Sequence, residues 1–273
     1  MDWSRAKTIL IIFLFAVNAF LFGTYMMKEN EAKQDSLALQ SEVVSVLLEQ
    51  GISVSAEKIP SEQVKIRHAT INVAENVGDI AASLLGETEE TIEEERTVYS
   101  SQSGNMMFSN DSFSLVYETG RTVKTSEDAK LLAKDIAGRL GIANAGSEIT
   151  VASAQGGYNV TIPQVFGGVS IFGADIELKI SESGSVLGNG RFIGSGRLTR
   201  AEGKTMRASA LLLEFADDIK KEKDEKINIT DIRYGYTAKN PAGGSVYLVP
   251  TLEISTDAGD FYVNMADGAL FNL

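Results

Sequence analysis

Cysteine is absent from this 273-residue chain, histidine and tryptophan occur once each, and proline occurs four times. Without thiols there are no disulfides, no cysteine nucleophile and no Cys-based zinc or iron–sulfur site, so the fold must stand on packing alone. A single histidine, His68, also excludes a multi-histidine metal centre. Positive charge is scarce: 25 basic against 37 acidic side chains give −12 at pH 7. Residues 1–27 hold only Asp2, Arg5 and Lys7 of these, which leaves 23 basic and 36 acidic side chains, or −13, on the rest. Such a surface repels nucleic acid and anionic lipid headgroups, and neither is an expected ligand. Cysteine-free exported chains fit a bacterial surface better than a eukaryotic secretory pathway.

What the chain has, and only at its start, is one long apolar run. Thr8 to Met27 are 20 residues without a charge. At ~1.5 Å per residue a helix of that length crosses the ~30 Å hydrocarbon core once. A signal peptide has a shorter apolar core of about 7–15 residues and a small-x-small cleavage site. The exit here, Met27-Lys28-Glu29-Asn30-Glu31, offers no such site. The run therefore predicts an uncleaved transmembrane anchor at 8–27, with a cytoplasmic tail at 1–7, a polar stalk at 28–35 and an extracytoplasmic remainder. Charge sets the orientation only narrowly, since Arg5 and Lys7 precede the span and Lys28 and Lys33 follow it. Mass decides it, because long domains are exported largely regardless of charge. Within the run, Asn18 falls near the bilayer midplane, and Ala19 with Gly23 makes a small-xxx-small pair, with Ala16 near the same stripe. Such residues let two helices approach closely, so Asn18, Ala19, Gly23 and Ala16 are the expected helix–helix interface.

Beyond the stalk, the pattern predicts an α+β fold in two parts, 36–120 and 121–273. Ser36 to Gln50 reads as a helix with Leu39, Val43, Val46 and Leu47 on one face and Gly51 as its stop. A strand-like run "QVKIRHATINVA" and a short helix around Ile80, Ala81, Leu84 and Leu85 follow. "GETEETIEEER", with six glutamates from Glu87 to Glu95, reads as a solvated connector or an exposed helix end. Thr97 to Tyr117 then alternates as two or three short strands, with a soft boundary near Gly120. The C-terminal part looks repeated, as 121–200 and 204–273. Each half opens with a helix ("TSEDAKLLAKDIAGRLGI", "TMRASALLLEFADDIKKEK"), continues through a proline-containing strand (Pro163, Pro250) and closes in a hairpin ("IELKISESGSVLGNGR", "TLEISTDAGDFYVNMADG"). Strands that follow helices in blocks argue for α+β and against a doubly wound sheet.

The residues offer little chemistry. His68, in "VKIRHA", has no Gly-x-Ser-x-Gly nucleophile to serve and reads as a partly buried structural histidine. "GNGRFIGSG" from Gly188 to Gly196 has the wrong spacing for a dinucleotide loop and sits late in a hairpin. The Glu87–Glu95 cluster lacks the spacing of a calcium loop. Paired acids Asp217 and Asp218 sit beside Lys220 and Lys221, as on a solvated helix face. No catalytic residue, cofactor, metal or small-molecule substrate is expected.

With an anchor, an exported body and no catalytic set in view, the N-terminus becomes informative again. The pattern Met1-Asp2-Trp3, a basic pair at Arg5 and Lys7 and then the apolar span resembles the start of the YycI (WalI) family. "YLVPTLEIS" followed by "FYVNMADGAL" is similar to the endings of YycI and its relative YycH, except that Thr251-Leu252 stands where an Ala-Trp-like pair is common. The resemblance implies a single-pass membrane protein of low-GC Gram-positive bacteria whose exported part is akin to YycH domains. It implies YycH and the sensor histidine kinase WalK (YycG) of the WalK/WalR (YycG/YycF) two-component system as partners, and a non-enzymatic regulatory role in cell-wall metabolism. The family lends no catalytic residues. The reading from the residues alone leaves a second possibility, an anchored binding or protease-inhibitor-like module.

Overall fold

The computed structural model describes residues 13–15, 17–18, 20–22, 24–25, 37–60, 66–72, 77–94, 96–109, 112–142, 149–191, 193, 197–222, 226–239 and 245–273. The expected tail at 1–7 and stalk at 28–35 lie outside them, as do Met1, Asp2, Trp3, Arg5, Lys7, Ala16, Ala19 and Gly23. Among the described residues no helix is long and apolar enough to cross a membrane.

Among the described residues, four α-helices outside the N-terminal segment form where local signals ask for them: α1 (37–49), α2 (Val77–Leu85), α3 (Ser126–Arg139) and α4 (Ala208–Glu222). Helix α3 shows the cause most clearly. Asp128 donates its backbone N–H to the Thr125 hydroxyl at 3.1 Å, and Thr125 N–H donates back to the Asp128 carboxylate at 3.0 Å, a reciprocal capping box. The Thr125 hydroxyl, then the Lys124 and Thr125 backbone N–H groups, hold the Asp128 carboxyl below its ordinary pKa. One turn further on, Ala129, Leu132, Ala133, Ile136 and Ala137 bury a single face. Thr125→Ala is expected to cost about 1 kcal/mol through the lost cap, read as a lower midpoint in chemical unfolding of the chain.

The strands, in chain order, are β1 (Ile52–Ser53), β2 (His68–Asn72), β3 (Glu89–Glu93), β4 (Arg96–Ser101), β5 (Gly104–Ser109), β6 (Ser112–Glu118), β7 (Thr150–Ala154), β8 (Gly157–Ile162), β9 (Val165–Phe166), β10 (Val169–Phe172), β11 (Ile176–Ser181), β12 (Ser185–Arg191), β13 (Arg197–Glu202), β14 (Ile227–Lys239), β15 (Ser245–Thr256), β16 (Gly259–Asn264) and β17 (Leu270–Phe271). The body is thus α+β, as the sequence predicts. It divides into two compact units. The first gathers residues up to 63 with 207–232 and 255–259, and the second gathers 64–206, 233–254 and 260–273. Gly120 lies inside the second unit, so the units do not divide the chain there.

In the first unit Val43 and Leu47 of α1 and Leu211, Leu212, Phe215, Ala216 and Ile219 of α4 are buried. Strand β1 pairs in parallel with the start of β14, Ile52 opposite Ile227. Gln40 is buried on α1, where it donates to the Ile59 carbonyl at 2.5 Å.

The second unit holds an antiparallel sheet in the order β3-β4-β5-β6-β12-β11-β8-β7. Helix α2 packs on β4 and β5, and α3 on β7 and β8. Period-2 burial explains the layering: Met106 and Phe108, Phe113 and Leu115, and Ile176, Leu178 and Ile180 are buried, while their strand neighbours face out. The expected hairpin at 176–191 is present as β11 and β12, with Leu178 opposite Gly188. A second sheet runs β13-β2-β15-β14-β10-β9, and β16 pairs with β15 and β17. Both sheets contribute to one core, Ile71 and Leu248 from one and Leu115 and Ile180 from the other.

Two expectations need correction. The glutamate-rich segment is neither connector nor helix end but the edge strand β3, paired with β4 so that Thr91 faces Val98 and Glu93 faces Arg96. Its Thr-Ile core takes strand geometry, and its exposed glutamates discourage another strand from adding to that edge. Of the two prolines expected within strands, Pro250 lies in β15, whereas Pro163 comes just after β8 ends.

Candidate functional site

The N-terminal segment is helical at each described position from Phe13 to Tyr25. Its large side chains are open to the surroundings: Phe15 is 77% exposed and Phe20 70%, and Leu14, Leu21, Phe22 and Tyr25 are exposed as well. Asn18 and Thr24 turn their polar atoms inward on their own backbone. Asn18 Nδ2 donates to the Leu14 carbonyl at 2.8 Å, and Thr24 Oγ1 donates to the Leu21 carbonyl at 2.9 Å. Bonding a side-chain donor to a carbonyl one turn back spares the several kcal/mol that an unmet donor costs away from water. Asn18 thus satisfies part of its amide within its own helix. Of the expected interface residues only Asn18 lies among the described ones.

His68 opens β2 and stacks on Tyr247 of β15, with ring centroids 5.3 Å apart and planes 10° from parallel. A Cβ on Gly203 would come within 2.9 Å of its ring, so the imidazole is packed between strands as a structural group. The glycines of "GNGR" serve close strand approach: a Cβ at Gly188 would meet Leu178 Cδ2 at 2.9 Å, and one at Gly190 the Asp175 carbonyl at 2.8 Å. Among the described residues no group of three or more His, Asp or Glu side chains is placed to hold a metal ion. Asp217 of the acidic pair on α4 accepts a hydrogen bond from Gln50 Nε2 at 3.2 Å.

Composition did not single out one polar centre, which the second unit builds on β14, β15 and β16. Glu253 is 4% exposed. Its Oε2 accepts from Arg233 Nε at 2.7 Å and lies 2.6 Å from Arg233 Nη2, and its Oε1 accepts from the Tyr262 hydroxyl at 3.3 Å. The guanidinium also stands over the Phe172 ring at 5.9 Å, and Phe172 in turn meets Tyr262 at 5.7 Å. Lys239 Nζ covers the Phe271 ring next to Tyr262 in the same way. Asp175 reaches solvent with much of its surface, yet lost hydration and then Glu177 push its carboxyl pKa up, against the pull of Arg233. Tyr262 is pushed up to about 12, first by burial and then by the charges of Glu253 and Asp260. The signal in the sequence is a lone glutamate inside the apolar run "LVPTLEIS". A charge there must find a cation, and Arg233 on the paired strand supplies it.

Tyr262 carries a pH consequence. Its folded pKa lies above the ordinary tyrosine value of 10, so the folded chain holds the proton more tightly than the unfolded one. The stability this adds is complete below pH 10 and is lost as pH rises toward about 12. Tyr262→Phe is expected to remove a tyrosinate absorbance step with a midpoint near 12 and to flatten the alkaline fall in unfolding free energy.

Thr251 and Leu252, also on β15, are fully buried. The Thr251 hydroxyl bonds that of Thr237 at 3.0 Å, so this spot is closed by a hydroxyl pair and an aliphatic side chain.

No family model and no curated protein matches the chain. Among solved structures, the crystal structure of an uncharacterized protein from Eubacterium rectale ATCC 33656 is similar over 76% of this chain and 86% of its own, with a TM-score of 0.53 at 12% identity. At that identity the likeness is one of fold alone.

Proposed function

We propose that this chain is a single-pass membrane protein, with its N-terminus in the cytoplasm and its α+β body outside, that regulates a sensor histidine kinase of the WalK (YycG) kind without catalysing a reaction. In this reading it acts together with a YycH-like partner on cell-wall metabolism. The observation that carries the proposal is the exposed apolar surface of the described helical residues between Phe13 and Tyr25, among which Asn18 and Thr24 bond to their own backbone. The Met1-Asp2-Trp3 start and the "YLVPTLEIS" and "FYVNMADGAL" endings add the family. The mechanism is helix packing in the bilayer. A regulator shifts a kinase between two signalling states only as far as its affinities for them differ, and a preference of ~1.4 kcal/mol moves the balance tenfold.

Photo-crosslinkers placed singly at positions 14–25 of the full chain in native membranes test this. A kinase helix captured from one face of the segment supports the proposal. Capture of lipid alone at every position would overturn it.

A further inference from the structure

The outer face of the eight-stranded sheet carries an apolar stripe. Strand alternation turns Val98, Met107, Val116 and Leu187 to the side opposite the buried Tyr99, Met106, Leu115 and Val186. The ladder register makes the four contiguous across β4, β5, β6 and β12. Val98 stands opposite Met107, Met107 is diagonal to Val116 because its own partner is Ser114, and Val116 stands opposite Leu187. Val116 is 38% exposed and Leu187 52%, with Val98 and Met107 half-buried. Each end of the stripe carries one acid and one base, all four exposed. Beyond Val98, Glu93 of β3 faces Arg96 of β4, whose Nη1 lies 4.0 Å from Met107 Sδ. Beyond Leu187, Lys179 of β11 is its ladder partner, and Glu177 follows two residues away on the same face.

We propose that this stripe is the centre of a two-fold interface between two copies of the chain, packed sheet face on sheet face. A two-fold axis across the middle of the stripe turns it end for end, so Leu187 of one copy lies on Val98 of the other and Val116 on Met107. With strands ~4.8 Å apart and same-face residues ~7 Å apart along each strand, the same rotation brings Lys179 to Glu93 of the second copy and Glu177 to its Arg96. An isologous contact needs a surface complementary to itself, and an apolar stripe with an acid–base pair at each end meets that need. A chain of net charge −12 repels its own copy unless carboxylates meet cations at the contact, and this charge order does so. The area also suffices. Eight strands ~4.8 Å apart and roughly six residues long span about 800 Å², the share each partner gives to a standard interface.

The absence of native cysteine makes the test clean. Two differently tagged full-length chains are co-expressed, one with Val116→Cys and the other with Met107→Cys, and disulfides are formed with a mild oxidant. Val116→Cys against Ala154→Cys, an exposed position on the edge strand β7, is the control. The 116–107 product carrying both tags should exceed the control at least several-fold. Adding Lys179→Glu to both chains sets like charges opposite Glu93 and should cut that product roughly tenfold. Adding Glu93→Lys as well restores opposite charges and should recover it. All the exchanged side chains are on the outer face, and an unchanged chemical unfolding midpoint confirms that each variant still folds. Cross-linking no greater than the control, a product containing another protein, or no recovery in the double charge exchange would overturn the interface. Because this readout needs no kinase, its failure leaves the regulatory reading standing, and loss of kinase response leaves the interface standing.

Discussion

Gly184→Ala is expected to destabilise the chain by about 3 kcal/mol or more, the sum of left-handed strain of about 1–2 kcal/mol and a forced displacement of about 1–3 kcal/mol. Gly184 closes the turn between β11 and β12 at φ 87°, in the region that side-chain-bearing residues avoid. A Cβ there would stand 1.8 Å from the Arg121 carbonyl oxygen and 2.7 Å from Thr119 Oγ1. The first of these is backbone and cannot swing aside. The same residue ties two segments together, since its carbonyl accepts from Thr119 N–H at 3.2 Å and from the Thr119 hydroxyl at 2.8 Å. Gly120 supplies the control. It also has positive φ, at 66°, but nothing lies within 4 Å of its added Cβ. Gly120→Ala should therefore cost only the strain, about 1 kcal/mol. Denaturant titration of the two variants measures the difference, and equal costs would contradict the role given to the close approach at Gly184.

Arg233→Ala is expected to cost about 2–3 kcal/mol, chiefly because it leaves Glu253 buried without its cation. The Arg233 side chain is itself 57% exposed, so the pair sits at the mild end of the range for buried pairs. Removing the guanidinium also uncovers the Phe172 ring. The double variant Arg233→Ala with Glu253→Leu replaces the unpaired charge with an apolar group of similar size and should recover at least about 1 kcal/mol, because the penalty lies in the stranded carboxylate. A double variant no better than Arg233→Ala alone would show that the cost comes from packing on Phe172.

What the sequence makes legible is what short-range forces decide. Thr125 and Asp128 announce the start of α3 because a cap needs only residues three apart, and Ala129, Leu132 and Ile136 mark its buried face because helix geometry repeats within a turn. The hairpin at 176–191 is legible for the same reason, two alternating runs joined by a Ser-Gly turn. Pairing between distant segments is not. Strand β2 lies between β13 and β15, with Ile71 opposite Leu198 on one side and Val246 on the other, and no local signal fixes those partners. For the same reason Gly120 reads as a boundary in sequence, whereas β6 just before it pairs with β12 along its whole length. The glutamates of β3 mislead because charge argues for solvent exposure without saying which backbone shape is exposed. Glu253 is the reverse case: its burial is foreshadowed by the apolar run around it, but its partner Arg233 is 20 residues away and becomes visible only once β14 and β15 are paired.

The regulatory account turns on the anchor segment and a kinase. Its most direct measurement is the expression of cell-wall hydrolase genes under that kinase, compared between cells with the intact chain, cells lacking it, and cells in which residues 8–27 are replaced by an unrelated transmembrane helix. The account predicts that deletion and anchor replacement shift expression in the same direction, several-fold, while the exported body stays at its normal level. Unchanged expression in both strains would contradict it.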